Sequence, residues 1–347
     1  MRSWPQALLR WYAAHRRDLP WRGHPDPYAV WVSEILLQQT RVTAARPYFE
    51  RFLRRFPTID VLAAAPIADV LKHWEGLGYY SRARNLQSAA REIVARHRSR
   101  LPTTAAALAL LPGIGPYTAA AIASISFHEP VPVVDGNVAR VFSRFLGWRD
   151  DFRKLPARQK LAAWLQPHIA KVANPGDFNQ AMMELGALVC LPRTPLCDQC
   201  PLAPACHARR TNTQAKFPRR PARKTVPTRH ACAVLIRRRG RLLLVQRREQ
   251  GLLGGFWELP GGETPRKPDA RAAAAAVRRQ TGLSVSDLSD QGEIIHVFSH
   301  FRLHLSLFAA GRCAGRLRSH ARARWVTNAE LARLPVSTAH RRALQQR

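Results

Sequence analysis

Four cysteines crowd one short stretch of the chain, Cys190, Cys197, Cys200 and Cys206, in the spacing C-x6-C-x2-C-x5-C. Thiolates this close in sequence can surround one centre without long loops, so the stretch is a candidate metal or iron–sulfur site. Spacing alone leaves zinc and an iron–sulfur cluster both open. Disulfides fit poorly: the first residues carry Arg10, Arg16 and Arg17 and lack the unbroken apolar core of a secretory leader. A second candidate is Leu111-Pro112-Gly113-Ile114-Gly115-Pro116, set between two helical patterns. Gly113 and Gly115 let the backbone turn tightly and bring N–H groups against a phosphate, and the following helix adds its positive dipole end. Such contacts position a duplex without reading its sequence. Downstream, Val134-Asp135-Gly136-Asn137-Val138 puts a carboxylate just before another helix, where Asn137 can also serve as a cap. Glu34 lies in an apolar helical run between Trp31, Val32, Ile35 and Leu36, where burial would raise its pKa. On residue type alone, Glu34 as an exposed carboxylate paired with an arginine is the competing reading.

These side chains are positioned by elements whose periods change along the chain. From Arg2 to about Ala208 apolar residues recur at i, i+3 and i+4, with breaks at Pro and Gly. The spacing predicts helices over Val30–Thr43, Thr58–Trp74, Ser81–His97, Thr103–Leu110, Tyr117–Phe127, Val138–Phe145 and Lys160–Ala170, and no strands. From His207 to Arg229 the chain carries basic residues and prolines but no acid, a composition that builds no core and reads as a linker. It serves either as a solvated tether or as a cationic strip along a phosphate backbone. After Arg229 the period shortens. Ala231–Arg237 and Arg241–Arg247, separated by Arg238-Arg239-Gly240, predict a hairpin, and Ile294–Ser299 and Arg302–Leu307 predict further strands. Ala270–Gln280, stopped by Gly282, and Ala329–Leu334 predict helices. The expected organisation is two domains: an all-α part at 1–208, a basic linker at 209–229 and an α+β part at 230–347.

At 347 residues the chain can bury a core in each part, and its formal net charge of +32 favours a polyanionic partner such as nucleic acid. Most of that charge is arginine in an alanine-rich chain, as a GC-rich genome would produce, which dilutes the signal. No apolar run reaches the ~18 residues needed to cross a bilayer. The expectation is a soluble, cytoplasmic bacterial protein with no membrane partner.

Hairpin, downstream Asp135 and cysteine cluster, in this order, resemble the endonuclease III superfamily of helix–hairpin–helix base-excision DNA glycosylases. Within it, Val32-Ser33-Glu34-Ile35-Leu36-Leu37-Gln38-Gln39-Thr40, Gly76-Leu77-Gly78-Tyr79-Tyr80-Ser81-Arg82 and Phe178-Asn179-Gln180-Ala181-Met182-Met183-Glu184 are similar to the MutY-type adenine glycosylases. The resemblance implies one 4Fe–4S cluster on Cys190, Cys197, Cys200 and Cys206, and a monomer acting on double-stranded DNA with adenine opposite 8-oxoguanine or guanine. It further implies that Glu34 protonates the adenine and Asp135 stabilises the sugar cation, with Tyr117 and Asn137 as hydrogen-bond partners. Trp21 and Arg22 would wall the adenine pocket. Gln39, Leu77 and Tyr79 would enter the duplex, although a tyrosine is more commonly a core residue, and Gly113 and Gly115 would hold the backbone.

Bifunctional relatives carry a lysine in the second helix of the hairpin and form a Schiff base. Here that position is Tyr117, and no lysine occurs between Lys72 and Lys154. The expected enzyme is therefore monofunctional, with water as final nucleophile. The alternatives are a bifunctional lyase, opposed by Tyr117, and a non-catalytic DNA-binding protein, opposed by Glu34 and Asp135 together. In the C-terminal part, Gly261 to Leu283 has the length of a Nudix box, but its acidic positions are Lys267, Ala276, Arg279 and Gln280 and its arginine position is Ala275. Without those carboxylates no divalent cation can be held against a diphosphate. The resemblance implies a Nudix-like module that reads the opposite strand through Phe298, Ser299 and His300, flanked by His296 and Phe301.

Overall fold

In this computed structural model, which describes residues 3–219, 226–249, 251–318 and 322–345, every regular element before Thr228 is helical. Of the expected linker, residues 220–225 lie outside the described residues. The described chain divides into two compact units, one of residues up to 64 and from 84 to 219, the other of residues 65–83 and those from 226 onward. Chain order had put 65–83 with the helical part.

In the first unit, helix Pro175–Leu188 is the hub and packs on Trp4–His15, Pro116–Phe127 and Gly136–Leu146. Its inward residues Phe178, Met182 and Leu185 are fully buried with Leu8, Phe142 and Leu161. Trp4 stacks on Trp164 at 5.7 Å, tying the first helix to Leu155–Ile169. Helix Pro27–Leu37 starts with Pro27 in its first turn and Asp26 as cap, accepting from the Tyr28 N–H at 2.9 Å.

Two expected helices are broken. Val30–Thr43 ends at Leu37 because Gln39 takes a left-handed backbone (φ 60°), and a new helix, Val42–Arg55, begins beyond it. At the break the Gln38 amide donates to the Thr118 hydroxyl at 3.0 Å, a partner that periodicity cannot reveal. Thr58–Trp74 becomes Ile59–Ala64 and Ile67–His73, because Pro66 is extended and ends the run. Ser81–His97 has the expected bounds, while Thr103–Leu110 shortens to Ala105–Leu108, capped by Thr104.

The second unit carries strands β1 (Thr228–Leu235), β2 (Arg237–Arg238), β3 (Arg241–Gln246), β4 (Trp257–Glu258), β5 (Gly261–Thr264), β6 (Ser284–Val297), β7 (Arg302–Ala314) and β8 (Ala323–Val326). One sheet runs β5-β1-β7-β6, with β1 and β7 parallel; in the other, β3 pairs with β2, β4 and β8. The expected hairpin is therefore corrected. The turn at Arg239-Gly240 joins β3 to the two-residue β2, while β1 belongs to the other sheet. β1 lies between β5 and β7 and is buried on both faces, Ala231 and Ala233 in one core and Cys232 and Val234 in another. Helix Ala270–Thr281 ends on Gly282 as expected, and a further helix, Thr338–Gln345, went unread in the sequence.

The hairpin between Leu108 and Pro116 turns on Gly113, whose φ is +74°. A Cβ there would stand 2.5 Å from the Asn85 Cβ, so any side chain would meet both an unfavourable backbone and a clash. Gly113→Ala is expected to lower stability by about 1–3 kcal/mol and to weaken DNA binding alongside. Thermal unfolding and a DNA titration check this; unchanged binding would show that the hairpin does not touch the backbone of the duplex.

Candidate active site

The helix that starts at Pro27 brings Glu34 to the wall of a pocket, and the hairpin's second helix brings Tyr117 against it. The Tyr117 hydroxyl donates to Glu34 Oε2 at 3.1 Å and also contacts Met183 Sδ at 3.3 Å. Glu34 is only 6 % exposed. Burial pushes its pKa up to about 7; the Tyr117 hydrogen bond opposes the rise and nearby Asp135 adds to it. Asp135 caps helix Gly136–Leu146: one carboxylate oxygen accepts from the Val138 N–H at 2.7 Å, the other from the Asn137 amide at 3.0 Å. Burial raises its pKa as well, against the pull of those donors and of the Arg140 charge. The capping role open to Asn137 is thus taken by Asp135 itself, and Asn137 holds the cap's second oxygen.

Trp21, Arg22, Glu34, Tyr117, Asp135 and Asn137 line this one pocket. Gln39, Gly113 and Gly115 line a groove that shares Glu34, Tyr117 and Asp135 with it. No lysine is among the described residues lining either. Leu77 and Tyr79 belong to the other unit, as do Phe298, Ser299 and His300. The last three form the turn joining β6 to β7, which the Phe298 N–H closes by donating to the Phe301 carbonyl at 2.9 Å. The rings of Phe298 and Phe301 stack at 4.5 Å, and Ser299 and His300 are exposed.

Other residues of the pocket were not singled out in the sequence. Glu184 is 1 % exposed and accepts from the Arg17 N–H and guanidinium and from both terminal nitrogens of Arg22, at 2.7–3.1 Å. Burial would raise this carboxyl, but the Arg17 and Arg22 donors outweigh it and hold the pKa down at about 2. Arg22 also donates to the Gln180 side chain at 3.2 Å. The signal available was a lone carboxylate in the apolar run Met182-Met183-Glu184-Leu185, which an arginine had to accompany. Arg140 was missed too. Its guanidinium donates to Asn137 Oδ1 and to the carbonyls of Gly186 and Cys190, each at 2.8 Å, so it joins the Asp135 cap to the start of the cysteine stretch.

The four cysteines line one small cavity with Val141, Phe145 and Leu202. All four are free thiols. Arg144, buried beside them, donates to Cys190 Sγ at 3.3 Å, and the Gln214 amide faces Cys197 Sγ at 3.7 Å. Burial pushes the Cys200 thiol up to about 12 and raises that of Cys206. No three His, Cys, Asp or Glu among the described residues are arranged to hold a single metal ion, in this cavity or at the Nudix box. Four sulfurs around an apolar cavity, with N–H donors aimed at them, are a donor set that fits an iron–sulfur cube.

A family model described as HhH-GPD superfamily base excision DNA repair protein matches residues 32–167, and one described as NUDIX domain matches residues 231–346. The chain is 36% identical over 400 residues to the adenine DNA glycosylase of Homo sapiens, covering 98% of this chain and 73% of that one. It is 34% identical over 302 residues to the adenine DNA glycosylase of Buchnera aphidicola subsp. Acyrthosiphon pisum, covering 87% and 84%. A solved thermostable thymine-DNA glycosylase is 27% identical, with a TM-score of 0.55 over 60% of this chain and 95% of that one. A non-covalent endonuclease III–DNA complex, 21% identical with a TM-score of 0.51 over 62% and 100%, shares the fold. With a helix–hairpin–helix beside a buried acid and an end-to-end match through both parts, the chain belongs to the adenine DNA glycosylase family.

Proposed function

We propose that this chain, as a monomer, removes adenine paired with 8-oxoguanine or guanine from duplex DNA by hydrolysis of the N-glycosidic bond. The observation that carries the reading is Glu34, buried, pushed up to about 7 and accepting a hydrogen bond from Tyr117 in a pocket it shares with Asp135. Breaking the bond from C1′ to the base sends its electron pair into the adenine, which must take up a proton as it leaves. Protonated Glu34 supplies that proton. Because Tyr117 occupies Oε2, Oε1 is the oxygen left to carry and release it. The sugar develops oxocarbenium character, and the Asp135 carboxylate, fixed by Val138 and Asn137 and lining the same pocket, stabilises it. Water adds at C1′, and the carboxylate left on Glu34 can take its proton. With Tyr117 in place of an amine, an imine route to strand cleavage has no nucleophile in the described lining.

The two buried carboxylates serve different ends. Glu34 is kept near neutrality as an acid, while Glu184 is held ionised and fixes Arg17 and Arg22 as a pocket wall. Adenine is an undamaged base, so this pocket cannot by itself tell a repair target from ordinary DNA. The distinguishing groups, an N7 hydrogen and an 8-oxo oxygen, are on the opposite base. The exposed Ser299 and the Phe298 ring in the β6–β7 turn are suited to meet them. The cysteine cavity suits one 4Fe–4S cluster on Cys190, Cys197, Cys200 and Cys206. When bound, the cluster would cross-link the loop that carries Arg193, and no step of the hydrolysis passes through it.

Glu34→Gln is expected to bind A:8-oxoguanine DNA but to excise adenine about 10²–10⁴-fold more slowly, because only the proton is lost. In the wild type, single-turnover excision should fall as pH rises through about 7, since the active form is the protonated acid. Glu34→Gln should lack that descent. A variant with near-normal excision would mean the acid lies elsewhere.

Ser299→Ala combined with Phe298→Ala is expected to narrow the preference for A:8-oxoguanine over A:G by about ten- to a hundredfold, the worth of one specific base contact. Excision at A:G should persist. Full retention of the preference would remove this turn from recognition.

Purified anaerobically from iron-replete cells, the protein should be brown with about four irons per chain. Colourless protein holding stoichiometric zinc would contradict the cluster. Cys190→Ser should reduce folded yield before it alters the chemical step.

A further inference from the structure

Tyr79 is 45 % exposed at the tip of the loop Gly76-Leu77-Gly78-Tyr79, in which Gly76, Gly78 and Tyr79 have φ of 99°, 71° and 48°. A tyrosine in left-handed backbone persists only where its surroundings over-determine it. One set of constraints is local. The Tyr80 hydroxyl accepts from the Gly76 N–H at 3.2 Å, and Arg82 donates to the Gly78 carbonyl at 3.1 Å while lying 5.8 Å from the centre of the Tyr79 ring.

The other set comes from the far end of the chain. Glu75, immediately before the loop, accepts from Arg341 Nε at 2.8 Å and from Lys72 at 2.7 Å, and its side chain is 15% exposed. Arg341 lies on helix Thr338–Gln345, and both it and Lys72 also donate to the Leu334 carbonyl. The Tyr80 ring packs on the fully buried Phe256 with centroids 4.2 Å apart. Residues 65–83 thus share a compact unit with the Nudix-like fold although the sequence places them inside the glycosylase half.

We propose that residues 65–83 are a working part of the C-terminal module, and that Arg341 and Phe256 are positioning residues that hold the Tyr79 loop in the shape in which it enters the base stack. The module that reads the base opposite adenine then also carries the wedge that opens the duplex. Recognition and opening become a single docking event, and a change on the C-terminal helix reaches base extrusion without touching DNA. This inference rests on the function proposed above and on the expectation that Tyr79 enters the duplex.

The test uses the full chain with Arg341→Ala, Glu75→Arg, and the charge swap E75R/R341E. A duplex with 2-aminopurine beside the 8-oxoguanine reports stack opening by fluorescence. Single-turnover excision is measured on that mispair in a regular duplex and in one whose flanking pairs are mismatched, so that the stack is already loosened. Arg341→Ala and Glu75→Arg should each lose most of the fluorescence rise and about tenfold in excision on the regular duplex, yet stay within about twofold of wild type on the loosened one. The swap should recover both signals on the regular duplex. Equal losses on the two duplexes, or no loss on the regular one, would overturn the proposal. If wild type opens the stack in an Arg341-dependent way but excises no adenine, the enzymatic reading fails and the coupling stands.

Discussion

Everything in the catalytic unit turns on removing one carboxylic acid from water. An exposed glutamate would be ionised at neutral pH and useless as a proton donor; Glu34, 6 % exposed, is brought to about 7. That burial requires an apolar helix on which eight neighbours of Glu34, from Tyr28 to Leu36, are also buried, and a hairpin helix close enough for Tyr117 to reach the acid. A carboxylate left in such a place without a donor would be costly. The Tyr117 hydroxyl supplies one hydrogen bond and leaves the other oxygen for the proposed proton transfer.

The same pocket shows the opposite solution to the same cost. Glu184 is buried more completely than Glu34 and stays ionised, because two arginines surround it. The partners differ: a phenol adjusts an acid slightly, whereas paired guanidiniums neutralise it. Asp135 lies between these extremes. It is raised by burial and restrained by a helix N-terminus and by Asn137, which Arg140 in turn holds. Arg140 and Arg144 extend this polar framework toward the cysteine cavity, whose lining also includes Arg209 and Gln214 among apolar side chains.

In the Nudix-like unit the helix of the box persists while other residues occupy its acidic positions. Helix Ala270–Thr281 and the Gly282 stop occupy the expected places, yet Ala276, Arg279 and Gln280 stand where carboxylates would have gathered cations. Gln280 has a structural task instead, accepting from the Gly261 N–H at 2.9 Å. The unit's exposed side chains include Ser299 and His300 in the β6–β7 turn and, on residues 65–83, Tyr79.

The sequence by itself determined the helical character of the first half, the strands of the second, the Gly113 hairpin, the cysteine cluster and the candidacy of Glu34 and Asp135. Those features are local: a period, a turn residue, a spacing, a charge among apolar neighbours. Only the tertiary structure decided which side chains meet. The Gln38 amide's bond to Thr118 accompanies the break in a helix that periodicity would have continued. β1 pairs between β5 and β7 in the other sheet and not in the expected hairpin. Glu184 found Arg17 across 167 positions, and Glu75 found Arg341 across 266. Pairing at such separations depends on where folded elements land, and it carries no signature in the residues between. That is why the chain reads as two successive halves while residues 65–83 pack with the second.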